Sequence, residues 1–380
     1  MNIITGRKHY AREYHYRQEA LCKLHLLCAA IVSKFMFAIC KLLASYTCPQ
    51  GSMAQEHFLH YQHCEIDKNQ ILGHGAYGFV CKAKCDQLPC VAKIIHSTIL
   101  DPRDPGSAKI VQQFEQECVF LANIRHPHIV QYLGVTRDPN SGLQVLLMEK
   151  LDENLTSMLE RSQKPMAYFI QVDICRDIAL AIAFLHSNRI IHRDLSSNNV
   201  LMIAGRRAKV TDFGMSKLAG EAPSRTRLTA CPGTQAYMPP EALDEPPRYT
   251  KKLDCFSQGV LMIQVCTRLW PEPGSRTHDV PFPASPTGMT KVPVLETERR
   301  KAHIDKIDSN HPLLPIALDC IQYNETRRPS SEELCQRLNT LKESTEYLES
   351  MQKVENTIAE LEREKAWEVA RTLQLQGMIQ

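Results

Sequence analysis

Residues 190–201 read I-I-H-R-D-L-S-S-N-N-V-L. The apolar pair Ile190 and Ile191 leads into His192-Arg193-Asp194, Asn199 lies five residues past that acid, and Val200-Leu201 is apolar again. Thirteen residues beyond Asn199 stands Asp212-Phe213-Gly214. An acid, an amide and a second acid on short loops between apolar strands are the oxygen ligands that Mg²⁺ and a phosphoryl acceptor need. H-R-D alone says little. H-R-D-L-x-x-x-N followed by D-F-G at this separation is very specific, and it points to phosphoryl transfer.

Upstream, residues 71–80 contain G-x-G-x-x-G-x-V, with Gly73, Gly75 and Gly78. A strand-like run precedes the motif and a second strand follows it. A dinucleotide-binding turn would open a helix instead. The pattern therefore predicts a hairpin closing over phosphates, with glycine letting the backbone approach the oxygens. Next comes Cys90-Val91-Ala92-Lys93-Ile94-Ile95. A lysine in an apolar strand is costly unless paired. Residues 112–124 read as a helix with Phe114, Leu121 and Ile124 on one face, behind a Pro/Gly-containing loop at 102–107. Glu117 shares that face and Glu115 does not. An acid on a buried face needs a cation, so Glu117 is the expected partner of Lys93.

These motifs together resemble the eukaryotic protein kinases, and H-R-D-L-S-S-N-N-V-L looks most like a variant of the tyrosine-kinase-like group of serine/threonine kinases. The resemblance covers residues 67–341. It implies an α+β, bilobed fold: a small β-rich lobe (67–150) with one key helix, and a larger helical lobe (151–341). It also implies the cofactors ATP and Mg²⁺, protein substrates, and intracellular signalling. Lys93 would contact the α and β phosphates, Asp194 would act as base or orient the acceptor hydroxyl, and Asn199 and Asp212 would hold the metal ions. Leu72, Gly73, Gly75, Gly78, Val80, Ala92 and Leu201 match positions around the nucleotide. Met148 falls at the gatekeeper position, and Glu149-Lys150-Leu151 at the hinge whose backbone meets adenine.

The segment 214–238 corresponds to the activation segment. It holds Ser224, Thr226 and Thr229 among basic residues, as candidate regulatory phosphosites that Arg193 would receive. Residues 233–241, G-T-Q-A-Y-M-P-P-E, resemble G-T-x-x-Y-M-A-P-E with Pro239 in place of Ala. That favours a serine/threonine acceptor, with Thr234 bonding toward Asp194. Asp254 resembles the acid that anchors the catalytic loop, and Arg328 the cation that pairs with Glu241. One departure stands out. Serine/threonine kinases usually carry Lys two residues after the catalytic Asp, and tyrosine kinases often Arg four residues after it. This chain has Ser196 and Asn198. The rival readings are a tyrosine-specific kinase, or a pseudokinase scaffold that binds nucleotide and partners without efficient turnover.

The 380 residues are 43% hydrophobic and 23% charged, ordinary for a soluble globular protein. A net charge of +3 without an extended run of one sign argues against nucleic acid as partner. The 15 cysteines show no paired spacing. They read as free thiols in a reducing, cytoplasmic setting, and a zinc site at Cys81, Cys85 and Cys90 is the weaker reading. Residues 21–46 are nearly all apolar, interrupted by Lys23, His25, Lys34 and Lys41, and Lys34 alone would cost a spanning helix about 3 kcal/mol or more. Lys23, Lys34 and Lys41 would share a helical stripe, as on a membrane-surface helix. A disordered extension over 1–52, or a start at Met53, are the competing readings. Between Trp270 and Thr290 the Pro-rich sequence reads as a surface loop. Residues 342–376 predict a long helix with Tyr347, Met351, Val354, Ile358 and Leu361 at four- and three-residue steps. That seam suits either a coiled-coil self-association or packing on its own lobe.

Overall fold

The computed structural model describes residues 64–375, apart from 75–77, 96–104, 139–141, 143, 162–164, 215, 219–233, 243–247, 272–276, 282–288 and 294–299. The first part is an antiparallel sheet of β1 (Cys64–His74), β2 (Gly78–Cys85), β3 (Leu88–Ile95), β4 (Tyr132–Arg137) and β5 (Gln144–Glu149), in spatial order β1-β2-β3-β5-β4. Asp86 and Gln87 turn β2 into β3 with both φ angles positive, +47° and +69°. Such a two-residue turn matches the twist of the paired strands. Alternation then sorts the side chains. Cys64, Cys81, Ala83, Cys90, Ala92, Ile94, Val145 and Leu147 pack as one buried cluster, while Val91, Ile95, Leu146 and Met148 join Phe114, Cys118 and Leu121 in the other. The cysteines serve here as small apolar groups. Burial pushes the Cys90 thiol up to about 11, and all ten cysteines among the described residues are free thiols.

Helix α1 (Pro105–Ala122) begins seven residues before its predicted start. Pro105 and Gly106, read from sequence as loop, belong to its first turn. Proline is tolerated there because that N–H has no intrahelical acceptor, and its fixed φ suits the helix.

The second part is mainly helical. After the two-residue strand β6 (Glu153–Asn154) come α2 (Leu155–Arg161) and α3 (Tyr168–Ser187). Ile174, Ile178 and Ile182 of α3 are buried, Ile170 half-buried, and the residues between them are largely buried too, so α3 is the spine of this lobe. It delivers the chain to β7 (Ile190–Ile191), then β8 (Val200–Ile203), β9 (Arg207–Val210) and β10 (Lys217–Leu218). Helix α4 (Lys251–Thr267) is capped by Thr250, whose side chain accepts the Lys252 N–H, and ends at Arg268 in the left-handed region. Gly259 lets α4 lie against the segment that ends at Cys320: a Cβ there would stand 2.5 Å from Cys320 Cβ. The 270–290 loop expectation needs correction. Strands β11 (Thr277–Pro281) and β12 (Met289–Pro293) form an antiparallel ladder, with proline tolerated at the strand ends. Short α5 (Lys301–Ile304), α6 (Leu313–Cys320) and α7 (Ser331–Lys342) follow, α7 with a reciprocal Ser330–Glu333 cap.

Helix α8 (Thr345–Leu375) runs 31 residues. Its first turns pack on α3. Tyr347 is buried, gives its hydroxyl to Asp173 at 2.9 Å and meets the Phe169 ring edge-on. Asp173 also takes Arg206 Nε at 2.7 Å and Lys342 Nζ at 3.2 Å. Met351 and Val354 pack against the same core, but Ile358 and Leu361 are 50% and 51% exposed. The seam therefore divides, its first half serving the chain's own lobe. Among the described residues no helix is long and apolar enough to cross a membrane. Residues 21–46 lie outside them.

Between the lobes, His126 stacks on Phe184 at 4.8 Å, and its Nδ1 accepts the His128 N–H at 3.2 Å. Burial pushes its pKa down to about 4, against about 6.5 in an unfolded chain. The unfolded form thus binds one more proton between these values. This group's contribution is complete above pH 6.5 and is lost as pH falls toward 4, with a slope of up to about 1.4 kcal/mol per unit. Urea titrations of wild type and His126→Gln from pH 7.5 to 4.5 should show a shallower acid decline in the variant. Parallel declines would remove His126 from the account.

Candidate active site

Strand β3 sets Lys93 in the middle of the sheet, beside Val80 of β2 and Leu146 of β5. Its ammonium has two anionic partners. Nζ lies 2.8 and 2.9 Å from the two Glu117 carboxylate oxygens and 2.9 Å from Asp212 Oδ1. The Glu117 side chain is 3% exposed, Lys93 21% and Asp212 39%, so the triad opens at its Asp212 end. Burial alone would lower the Lys93 pKa, but Asp212 and Glu117 hold it above the ordinary lysine range. Lys93 in turn draws the Asp212 carboxyl below its usual value. Residues 93, 117 and 212, which the sequence singles out in three distant motifs, therefore meet.

Asp212 itself sits at φ +63°, a region that non-glycine residues visit at a cost. The next residue explains the turn. Phe213 is buried between Phe120, at 5.1 Å, and His192, at 5.2 Å. His192 Nδ1 accepts the Asp194 N–H, which leaves Nε2–H to donate to Thr211 O at 3.0 Å. That fixes a neutral tautomer, and burial lowers the ring's pKa accordingly.

The catalytic loop is tied down from below. Asp254, fully buried on α4, accepts the backbone N–H groups of His192 and Arg193 at 2.8 and 2.9 Å and His186 Nε2 at 2.8 Å. Burial would raise its pKa, yet the His186 and Arg193 bonds keep it below the ordinary value. Above this anchor, Asn199 Nδ2 donates to Asp194 O at 2.8 Å and to Asp194 Oδ2 at 3.0 Å. The amide nitrogen is thereby committed to Asp194, and the amide oxygen is the donor available to a cation. Burial and the nearby Asp212 charge push the Asp194 carboxyl up to about 7. Arg193 is buried with φ +70°, its guanidinium 4.0 Å from the Tyr249 ring centroid.

The remaining site residues divide. Ala92 and Met148 are buried, Val80, Leu151 and Leu201 half-buried, and Leu72 is 48% exposed. Glu149 uses its side chain structurally, taking Lys209 Nζ and the Gln131 N–H, while its own N–H donates to Gln131 O. The glycines have unequal reasons. A Cβ at Gly73 would meet nothing within 4 Å, whereas one at Gly78 would stand 2.1 Å from Ile94 O. At Gly78 the neighbouring strand makes a demand of its own for glycine, beside the expected approach to phosphate. Gly75, and Ser224, Thr226 and Thr229, lie outside the described residues. Thr234 is in the 3₁₀ turn Thr234–Tyr237. Sequence reasoning does not single out His192 or Ser197. The first could be found from its place in H-R-D; the second has no local signature.

The family description "protein kinase domain" matches residues 66–338. The chain belongs to the protein kinase family. A probable serine/threonine-protein kinase of Dictyostelium discoideum, kinX, is 27% identical over 282 residues, which are 73% of this chain and 24% of the relative. The dual specificity protein kinase shkD of the same organism is 30% identical over 281 residues, 73% of this chain and 35% of the relative. The mouse serine/threonine-protein kinase TNNI3K is 29% identical over 211 residues, 55% of this chain and 24% of the relative. The kinase thus spans only about a quarter to a half of the length of the curated relatives it matches.

Proposed function

We propose that this kinase transfers the γ-phosphate of ATP to serine and threonine hydroxyls of proteins, with tyrosine as a secondary acceptor. The observation that carries the reading is Lys93 Nζ within hydrogen-bonding distance of both Glu117 and Asp212. Glu117 holds the ammonium where it would meet the α and β phosphates. Asp194, supported by Asn199, orients the acceptor hydroxyl. Asn199 and Asp212 offer hard oxygen donors suited to Mg²⁺, which when bound would neutralise phosphate charge. Among the described residues no group of three or more His, Cys, Asp or Glu side chains could hold a metal. Val80, Ala92 and Leu201 would enclose the adenine, and the backbone after Met148 would pair with it.

The test is labelled ATP, Mg²⁺ and a mixed peptide library, followed by phosphoamino-acid analysis. Label on serine and threonine, absent in Asp212→Ala, is the expected result. Transfer no greater than that of Asp212→Ala would end the catalytic reading. One observation favours the scaffold alternative: Ser196, where serine/threonine kinases usually present a lysine, is buried and uncharged. Nucleotide binding without turnover would decide for it.

The second half of the α8 seam supports self-association with another copy. Ile358 and Leu361 continue the stripe of Met351 and Val354 but stand about half exposed. Sedimentation should give a dimer for wild type and a monomer for Ile358→Glu/Leu361→Glu with an unchanged melting temperature. A monomeric wild type at tens of micromolar would end this reading.

A further inference from the structure

A chain of hydroxyls crosses the interior beneath the catalytic loop. Thr156 Oγ1 of α2 lies 2.6 Å from Ser197 Oγ, and Ser197 Oγ lies 2.9 Å from Tyr237 OH. Tyr237 donates to Gln264 Oε1 of α4 at 2.6 Å. Because an amide oxygen only accepts, the Tyr237 proton is committed to Gln264. The phenol oxygen then accepts from Ser197, and the Ser197 oxygen from Thr156. Ser197, Tyr237 and Gln264 are all buried.

The two middle members belong to the Asp194–Asn199 loop and to the turn in 233–241 that resembles the family's G-T-x-x-Y-M-A-P-E segment. Ser197 lies three residues after Asp194 and two before Asn199, at the start of the turn Ser197–Asn199. Tyr237 closes the turn Thr234–Tyr237, whose sequence favours a serine/threonine acceptor. That turn is held independently from beneath: Ser257 Oγ donates to Tyr237 O at 2.9 Å, and Arg300 Nη2 to Ala236 O at 2.6 Å. With its backbone fixed, the Tyr237 hydroxyl is its side-chain link to the loop carrying Asp194.

We propose that Ser197 and Tyr237 are positioning residues for the peptide acceptor, setting the spacing between the acceptor-binding turn and the Asp194–Asn199 loop. The assignment rests on the kinase reading above. Neither side chain touches the triad of Lys93, Glu117 and Asp212, so the relay acts on the acceptor and leaves that triad's hold on the nucleotide intact. Removing the Ser197 hydroxyl leaves Tyr237 still bonded to Gln264 but takes the acceptor from Thr156, a cost that the melting temperature reads separately.

The experiment compares Ser197→Ala, Tyr237→Phe, their double variant and Ser197→Thr in the full chain. The readouts are peptide KM and kcat, ATP-analogue affinity and melting temperature. Each single variant should lose on the order of tenfold in kcat/KM for peptide, within the range for contacting pairs, with ATP-analogue affinity unchanged. The double variant should be no worse than either single one, and Ser197→Thr should recover most of the activity. Additive losses, or losses in peptide transfer and nucleotide affinity that track the melting temperature, would reduce the relay to a packing feature and overturn the proposal. Full activity in both single variants would do the same. A wild type that binds nucleotide but transfers nothing would instead remove the kinase reading, and the relay with it.

Discussion

Replacing Asp212 by Asn should lower kcat for phosphoryl transfer by about 10²–10³-fold or more, the loss typical of removing one preorganised electrostatic group. The substitution keeps the side chain's size and one oxygen but removes its charge. That charge has two duties. It shares Lys93 with Glu117 at 2.9 Å, and it offers the most exposed oxygens of the triad to an incoming cation. Since Glu117 still holds Lys93 through both oxygens, the lysine stays in place and the melting temperature should move by only a few degrees. The requirement for Mg²⁺ should rise steeply, because one anionic donor has been lost. Steady-state rates over a Mg²⁺ titration check this. A variant within threefold of wild type at every Mg²⁺ concentration would show that Asp212 is not the cation's holder, whatever its contact with Lys93.

Lys93, Glu117 and Asp212 are legible in the sequence because their chemistry is local. A charged residue in an apolar strand, an acid on an apolar helix face and an acid in D-F-G each announce a missing partner. Asp254 and the Arg328–Glu241 pair are legible only through the resemblance to the kinase family, and the structure buries all three charges with partners. The logic of a missing partner fails where that partner is neutral or remote. Tyr347 reads as one apolar stripe residue of a long helix, and its bond to Asp173 spans 174 positions. Ser197 carries no charge, so the burial of its hydroxyl leaves no trace in the pattern. Proline misleads in both of its settings. Pro105 reads as a breaker but opens α1, and the prolines of 271–293 conceal a two-stranded ladder. Gly78 is legible for an incomplete reason, since the crowding that excludes a side chain comes from Ile94 across the sheet, which sequence spacing does not reveal.

Arg328→Met should destabilise the fold by about 3–5 kcal/mol, the range for breaking a buried ion pair from one side. Arg328 and Glu241 are 1% and 3% exposed. The guanidinium spends all five of its N–H groups. Nε donates to Gln322 O at 2.8 Å, and Nη1 donates to Glu241 Oε1 and to Lys252 O. Nη2 donates to Glu241 Oε2 at 2.9 Å and to Tyr323 O at 3.2 Å. The plane also lies 4.9 Å from the Phe256 ring centroid. Methionine fills much of the same volume, so the loss is electrostatic more than steric: a carboxylate and three carbonyls are left dry. Lysine is no substitute, because a point charge cannot reproduce the planar fork. Arg328→Lys should therefore fall between wild type and Arg328→Met. Adding Glu241→Gln to Arg328→Met should recover part of the loss, since the stranded charge goes with it. Thermal melts read the effect, at roughly 2–4 °C per kcal/mol for a domain of this size. If Arg328→Met melted within about 2 °C of wild type, or if Glu241→Gln made it worse, the pair would not be the link that fastens residues 240–242 to the helical lobe.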